Sequence, residues 1–186
     1  MMELQDMKDK TAIVGVGYTA EQGTVPGRSS LSFAMEATKN AIEDAGLKKS
    51  DIDGLLIQPT IGQQSYTVAS YLGFDNLRLL ANEDVMGASG ACLANHAALA
   101  VVSGQANYVL CLYGTNGKSG RGGAMGGAGG GPPRIVGINP AYGLFGASAE
   151  YALAASRGMY ELGTGQDTWA DIAVSQRKWA NLNPRA

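Results

Sequence analysis

A Gly-Ala-Ser-Gly turn between an apolar strand and a small-residue helix is where this chain has the means to do chemistry. The strand reads from Leu77 through Leu79, Leu80 and Val85, the turn is Gly87-Ala88-Ser89-Gly90, and the helix spans Ala91 to Ser103. A tight turn that delivers a strand onto a helix N-terminus is where α/β enzymes often mount a nucleophile. The free N–H groups of such a terminus can hold an oxyanion or a phosphate, and its dipole lowers the pKa of a thiol placed there. In this chain position 87, the seat of that nucleophile, is a glycine.

The other reactive side chains offer no replacement. Ser89 fits the G-x-S-x-G phrase only in part, because the residue two places on is Ala91. Cys92 falls five residues past Gly87 and points away from the mouth of the turn. Cys92 and Cys111 read as small buried hydrophobes, one on a helix and one on a strand. His96 is the only histidine and sits two turns into an apolar helix, so it reads as a satisfied core or interface residue. One histidine without clustered cysteines gives no zinc pattern, and no metal is expected. Gly15 to Ala20 matches G-x-G-x-x-A, but Gly23, Pro26 and Gly27 forbid the helix that a dinucleotide site needs.

The elements that position the turn follow from periodicity and punctuation. Thr11 to Gly17 alternates and predicts a strand. Ser29 or Ser30 caps a helix to about Ala45, stopped by Gly46. Ile52 to Ile57 is a short strand ended by Pro59, and Tyr66 to Leu72 a short helix. After Leu77–Val85 and its helix, Asn107 to Tyr113 is the fourth strand. This alternation predicts an α/β fold with a mostly parallel sheet. The helix ACLANHAALAVV is apolar nearly all round and too short to span a bilayer, so it is expected as a buried central helix. Helices over Ala147–Leu162 and Thr164–Asn181 follow, the second with a capping-box pattern of Thr164 and Asp167.

Residues 1–10 are polar and expected to be loose, leaving one domain over 11–186. Its one interruption is an excursion over residues 114–140, with ten glycines in the eighteen residues from Gly114 to Gly131. Charged residues are only 16% of the chain, which suggests surface buried against a partner. A net charge of −2 gives no nucleic-acid footprint. No apolar run is long enough for a membrane span, and the polar N-terminus is not a signal peptide, so the cytoplasm is the expected location.

The run from Asn82 to Gly114 resembles the nucleophile strand, turn, helix and strand of thiolases, closest to the sterol-carrier/lipid-transfer branch. Thr11–Gly17 resembles that family's first strand, Ser32–Ile57 its first helix and second strand, and Pro140–Ala186 the end of its N-terminal half. The resemblance implies a layered thiolase-like fold and coenzyme A thioesters as substrates, with no bound cofactor. It also departs in two places. The acyl-accepting cysteine of thiolases falls on Gly87, and the half that carries the catalytic histidine and second cysteine lies beyond Ala186. Branch members without that cysteine include aldolases that cleave acyl-CoA side chains in lipid and steroid degradation, with acid–base tyrosines in the other half.

The expected function is therefore the N-terminal half of an acyl-CoA aldolase, inactive alone. In it Gly87 widens the pocket, and Ala88, Ser89 and Gly90 with the helix N-terminus hold a thioester oxygen or enolate. Two alternatives stand beside it: a non-catalytic interaction module, and an acyltransferase that Gly87 disfavours. Lys118 and Arg121 in the glycine-rich excursion are candidates for the substrate's phosphates, or else solvated charges. Tyr142 either lines a substrate channel or covers the core. The resemblance further implies a homodimer through the third strand and the loop after the fourth, and a small partner protein of the oligonucleotide-binding fold.

Overall fold

The computed structural model describes residues 7–119, 142 and 146–184. The chain divides into two compact units, 1–134 and 135–186, and each is described by itself.

The first unit is an α/β fold around three parallel strands: β1 (Gly54–Ile57), β2 (Leu79–Asn82) and β3 (Val109–Leu112). Their order is β2-β1-β3, so β1 is central and buried throughout. Alternate side chains of a strand face opposite sides, and both sides here are covered. Leu55 and Ile57 join Ala34, Ile61, Val68, Ala69 and Leu112 beneath α1 (Ser30–Asp44) and α2 (Ser65–Leu72). Leu56 turns the other way, to Leu79, Leu93, Ala100 and Ala106 beneath α3 (Ser89–Val102). That double burial is why the strand reads as an unbroken apolar run rather than an alternating one.

Helix α1 begins and ends where its sequence signals. The Ser29 hydroxyl accepts from the Ser32 amide at 3.1 Å. Gly46 takes the left-handed conformation at φ 66°, which lets the Leu47 amide reach the Ile42 carbonyl.

Asp53 ties the N-terminal ends of the strands together. Its carboxylate, 4% exposed, accepts from the Asn107 backbone and side-chain amides and from the Tyr108 amide, each at 2.8 Å. Its carbonyl accepts from Arg78 and Leu79. Burial pushes the Asp53 carboxyl up, but the Tyr108 and Asn107 donors, with Arg78 nearby, outweigh it and hold the group below its ordinary value.

Two expectations are corrected. Thr11–Gly17 is not a strand: its Val16 amide donates to the Asp44 carboxylate at 2.8 Å, and it runs along α1. Gly15 and Gly17 lie so close to that helix that a Cβ on Gly17 would stand 2.0 Å from the Ala37 carbonyl oxygen. Alternation alone does not make a strand, and this segment has no ladder neighbour among the described residues. No helix starts at Gly17. The second correction concerns α3. It is buried on its sheet side through Ser89, Leu93 and Ala100, whereas Ala91, Ala94, Asn95 and Leu99 are exposed. An apolar circumference marks a helix suited to cover on more than one side, and only the sheet side is covered among the described residues.

The second unit carries α4 (Gly146–Leu162) and α5 (Gln166–Ala180). Gly163 stops α4 at φ 64°. The expected Thr164 cap is replaced by Gly165, with no side-chain cap, one residue later. Asp167 at the start and Arg177 and Lys178 at the end suit the helix dipole. Tyr151, Tyr160, Trp169 and Trp179 are exposed.

Candidate active site

The turn stands at the C-terminal edge of the parallel sheet, where open α/β sheets place their ligands. After β2 the chain leaves the ladder at Val85 and makes a 3₁₀ turn over Met86–Ala88 that runs into α3. Met86 holds φ 54°, a left-handed conformation that costs a residue with a Cβ. Its side chain is 83% exposed, so packing does not impose that conformation. The imposing contacts fall on its carbonyl. The Ser89 hydroxyl donates to it at 2.8 Å, the Ser89 amide also donates to it, and the Gln58 side-chain amide approaches at 3.4 Å. Ser89 also accepts from the Val85 amide at 2.9 Å. With its hydroxyl engaged on both sides and only 3% of its surface exposed, Ser89 is a staple and not a nucleophile. Ser89→Ala should leave the Val85 N–H and one lone pair of Met86 short of a partner, at about 2 kcal/mol in chemical unfolding.

Hydrogen bonding engages two amides of the turn and leaves that of Gly87 free. The Ala88 N–H is used by the Val85 carbonyl and the Ser89 N–H by Met86. The Gly87 N–H has no partner among the described residues. A trans peptide points its C=O and N–H in opposite directions. Because the Met86 carbonyl is held inward, the Gly87 N–H faces outward. The Ala88 and Ser89 amides are thus engaged within the turn, and Gly87 offers a free donor beside them. Gly90 is exposed in the first turn of α3.

Gly87 is not required by space or by backbone conformation. Its φ is not positive, and a Cβ built on it would meet nothing within 4 Å.

Beside the turn, on the α3 side, His96 Nδ1 contacts the Glu83 carboxylate, just past β2. Cys111 is exposed by surface area, not the buried residue expected, yet its thiol lies 3.5 Å from the Leu93 carbonyl, and desolvation there, with Glu83 nearby, pushes it up to about 11. At that value the thiol is protonated at neutral pH. Cys92 is half-buried on α3. Lys118 is exposed and lies beside Gly23, on a segment pinned to the start of α1 by Asn116 and to Val25 by Ser119; no contact among the described residues brings it to the turn. Arg121 lies outside the described residues. Tyr142 is 76% exposed and belongs to the second unit. Sequence reasoning passed over Gln58 and Glu83, although each is the first polar residue after a strand, or within one step of it.

An open cleft of about 510 Å³ lies at the opposite edge of the sheet, lined by Asp51, Asp53, Asn76, Asn107 and Tyr108 among others. Its one buried carboxylate is already occupied by the Asp53 tie. No cluster of His, Cys, Asp or Glu suited to a metal exists among the described residues. Among them, no helix is long and apolar enough to cross a membrane.

The sequence and the fold have relatives among known proteins. The chain is 33% identical over 180 residues to a steroid side-chain-cleaving aldolase of Thermomonospora curvata, covering 94% of this chain and 46% of that protein. It is 30% identical over 191 residues to the 17-hydroxy-3-oxo-4-pregnene-20-carboxyl-CoA lyase of Mycobacterium tuberculosis, covering 97% of this chain and 48% of that one. Among solved structures, the Ltp2-ChsH2(DUF35) aldolase superposes on 94% of this chain and 44% of its own, with a TM-score of 0.75 and 32% identity. A partial likeness, over 53% of this chain and 22% of the other, links it to an SCP2-thiolase-like protein of Mycobacterium smegmatis, with 30% identity and a TM-score of 0.43. No protein-family model matches. The chain thus spans about half the length of the curated relatives it matches.

Proposed function

We propose that this chain is the N-terminal half of a thiolase-like aldolase that cleaves a carbon–carbon bond in an acyl-CoA thioester. The observation that carries the reading is the unpaired Gly87 N–H at an open, thiol-free turn. Its likeness to two proteins named for aldolase and CoA-lyase activity supports it. In such a cleavage a base removes the proton of the β-hydroxyl group. The C–O bond becomes a carbonyl, the Cα–Cβ bond breaks, and its electron pair passes into the thioester as an enolate. The Gly87 N–H would donate to the enolate oxygen, where negative charge develops, and an acid would then protonate Cα. The acid and base are expected in the other half.

The reading extends to partners. The outer edge of β2 has no neighbour among the described residues and Leu80 is 41% exposed, which suits pairing with a second copy. The solved relative is named as an assembly of two components, which supports a partner protein for this chain as well. The test of function is cleavage of a β-hydroxyacyl-CoA ester by this chain joined to the polypeptide that completes it, with the ketone and shortened thioester as products. A second reading, an interaction module without catalysis, draws on the exposed aromatic side chains of α4 and α5. Sedimentation discriminates: a stable monomer that takes up no second copy or partner would remove the module reading.

A further inference from the structure

We infer that Gln58 is a positioning residue, which fixes the Met86–Gly87 peptide from the sheet and so aims the Gly87 N–H at the mouth of the turn. Gln58 follows β1 and is 6% exposed. Its backbone amide donates to the Leu112 carbonyl at 3.0 Å, which anchors it to β3. Its side chain has two ends with two tasks. The Thr60 hydroxyl donates to its Oε1 at 2.7 Å, and this fixes which end of the amide turns toward the turn. The Nε2 end then faces the Met86 carbonyl at 3.4 Å, a long bond but the only side-chain hydrogen bond between the strand β1 region and that carbonyl. The other two donors to it belong to Ser89, on the helix. Helix contacts alone would let the turn rock with α3. A donor from the sheet gives the peptide a second point of reference.

Gly87 makes this hold necessary. A flip of the 86–87 peptide turns ψ of residue 86 and φ of residue 87, and a glycine with nothing within 4 Å of its Cβ position does not resist it. That flip would turn the Gly87 N–H inward and present a carbonyl to any developing oxyanion. A buried side-chain amide on the Met86 carbonyl opposes the flip, since the flip would leave its donor unpaired.

The test is amide hydrogen exchange on the chain as it stands, with Gln58→Leu, which keeps the bulk and removes the donor. Exchange across 84–90 should quicken at least tenfold, while the β1 strand stays as in the parent. Exchange within twofold of the parent across 84–90 would overturn the inference. Should Gln58→Leu fail to fold, Thr60→Val serves instead: loss of the orienting hydroxyl should quicken the same segment two- to fivefold, and no change would overturn the role. A second arm rests on the aldolase reading. In the completed enzyme, Gln58→Leu should lower kcat at least tenfold and leave KM within twofold, because the aim of the N–H matters when the oxygen becomes charged. A raised KM with kcat kept would contradict positioning. A parent enzyme that cleaves nothing would sink the aldolase reading, and the exchange result would still decide the role of Gln58.

Discussion

Gly87→Cys should fold like the parent and acquire the fastest-reacting thiol in the chain. Position 87 has no positive φ, and a Cβ there meets nothing within 4 Å, so the substitution introduces neither strain nor a clash with the described residues. The new sulfur would stand beside the free Gly87 N–H and the start of α3, an environment that favours the thiolate. The resident Cys111 is the internal standard. Its thiol is pushed up to about 11, which leaves on the order of one molecule in ten thousand ionised at neutral pH. Even an unperturbed thiol at position 87 would be a few per cent ionised, so alkylation there should outpace Cys111 on the order of 20-fold after allowing for the lower nucleophilicity of weaker bases. Timed alkylation followed by peptide mass spectrometry reads the ratio directly. Equal labelling of the two sites would mean that residue 87 does not face an open, electropositive mouth.

The second large effect falls at the other end of the sheet. Asp53→Ala should destabilise the first unit by about 3 kcal/mol, because three donors, from Asn107 and Tyr108, lose their acceptor in a buried setting. Against a typical domain stability of about 5–15 kcal/mol this is a large share. The pH dependence follows from the direction of the shift. Asp53 is held below its ordinary value in the folded chain, so the unfolded chain binds its proton first as pH falls. Its contribution is complete above the ordinary aspartate value and disappears as pH drops through the lower, folded one. Urea unfolding at about pH 7 and about pH 3 should show the parent losing more stability on acidification than Asp53→Ala. Equal acid sensitivity would show that the tie is not the titrating element.

Much of the scaffold was legible in the residues. The Ser29 cap, the Gly46 stop and the apolar Leu55-Leu56-Ile57 run each state a local preference that the packing then uses. What was not legible depends on partners. Thr11–Gly17 carries the alternation of a strand, yet a strand exists only beside another, and here the segment is claimed by Asp44 and the face of α1. The composition of α3 reports how many sides suit burial, not which sides these residues cover. The turn shows the same division. Its place between β2 and α3 could be read from spacing. The free donor could not, since it depends on the left-handed Met86 and on the amides already spent on Val85 and Met86.

The most direct test of the account is a β-hydroxyacyl-CoA cleavage assay on the completed enzyme, with intact-protein mass recorded during turnover. An oxygen anion steadied by the Gly87 N–H, with no thiol at its side, predicts release of the ketone and the shortened thioester while the protein mass stays unchanged. An acylated chain in the mass spectrum, or a completed and folded enzyme that releases no ketone, would contradict it.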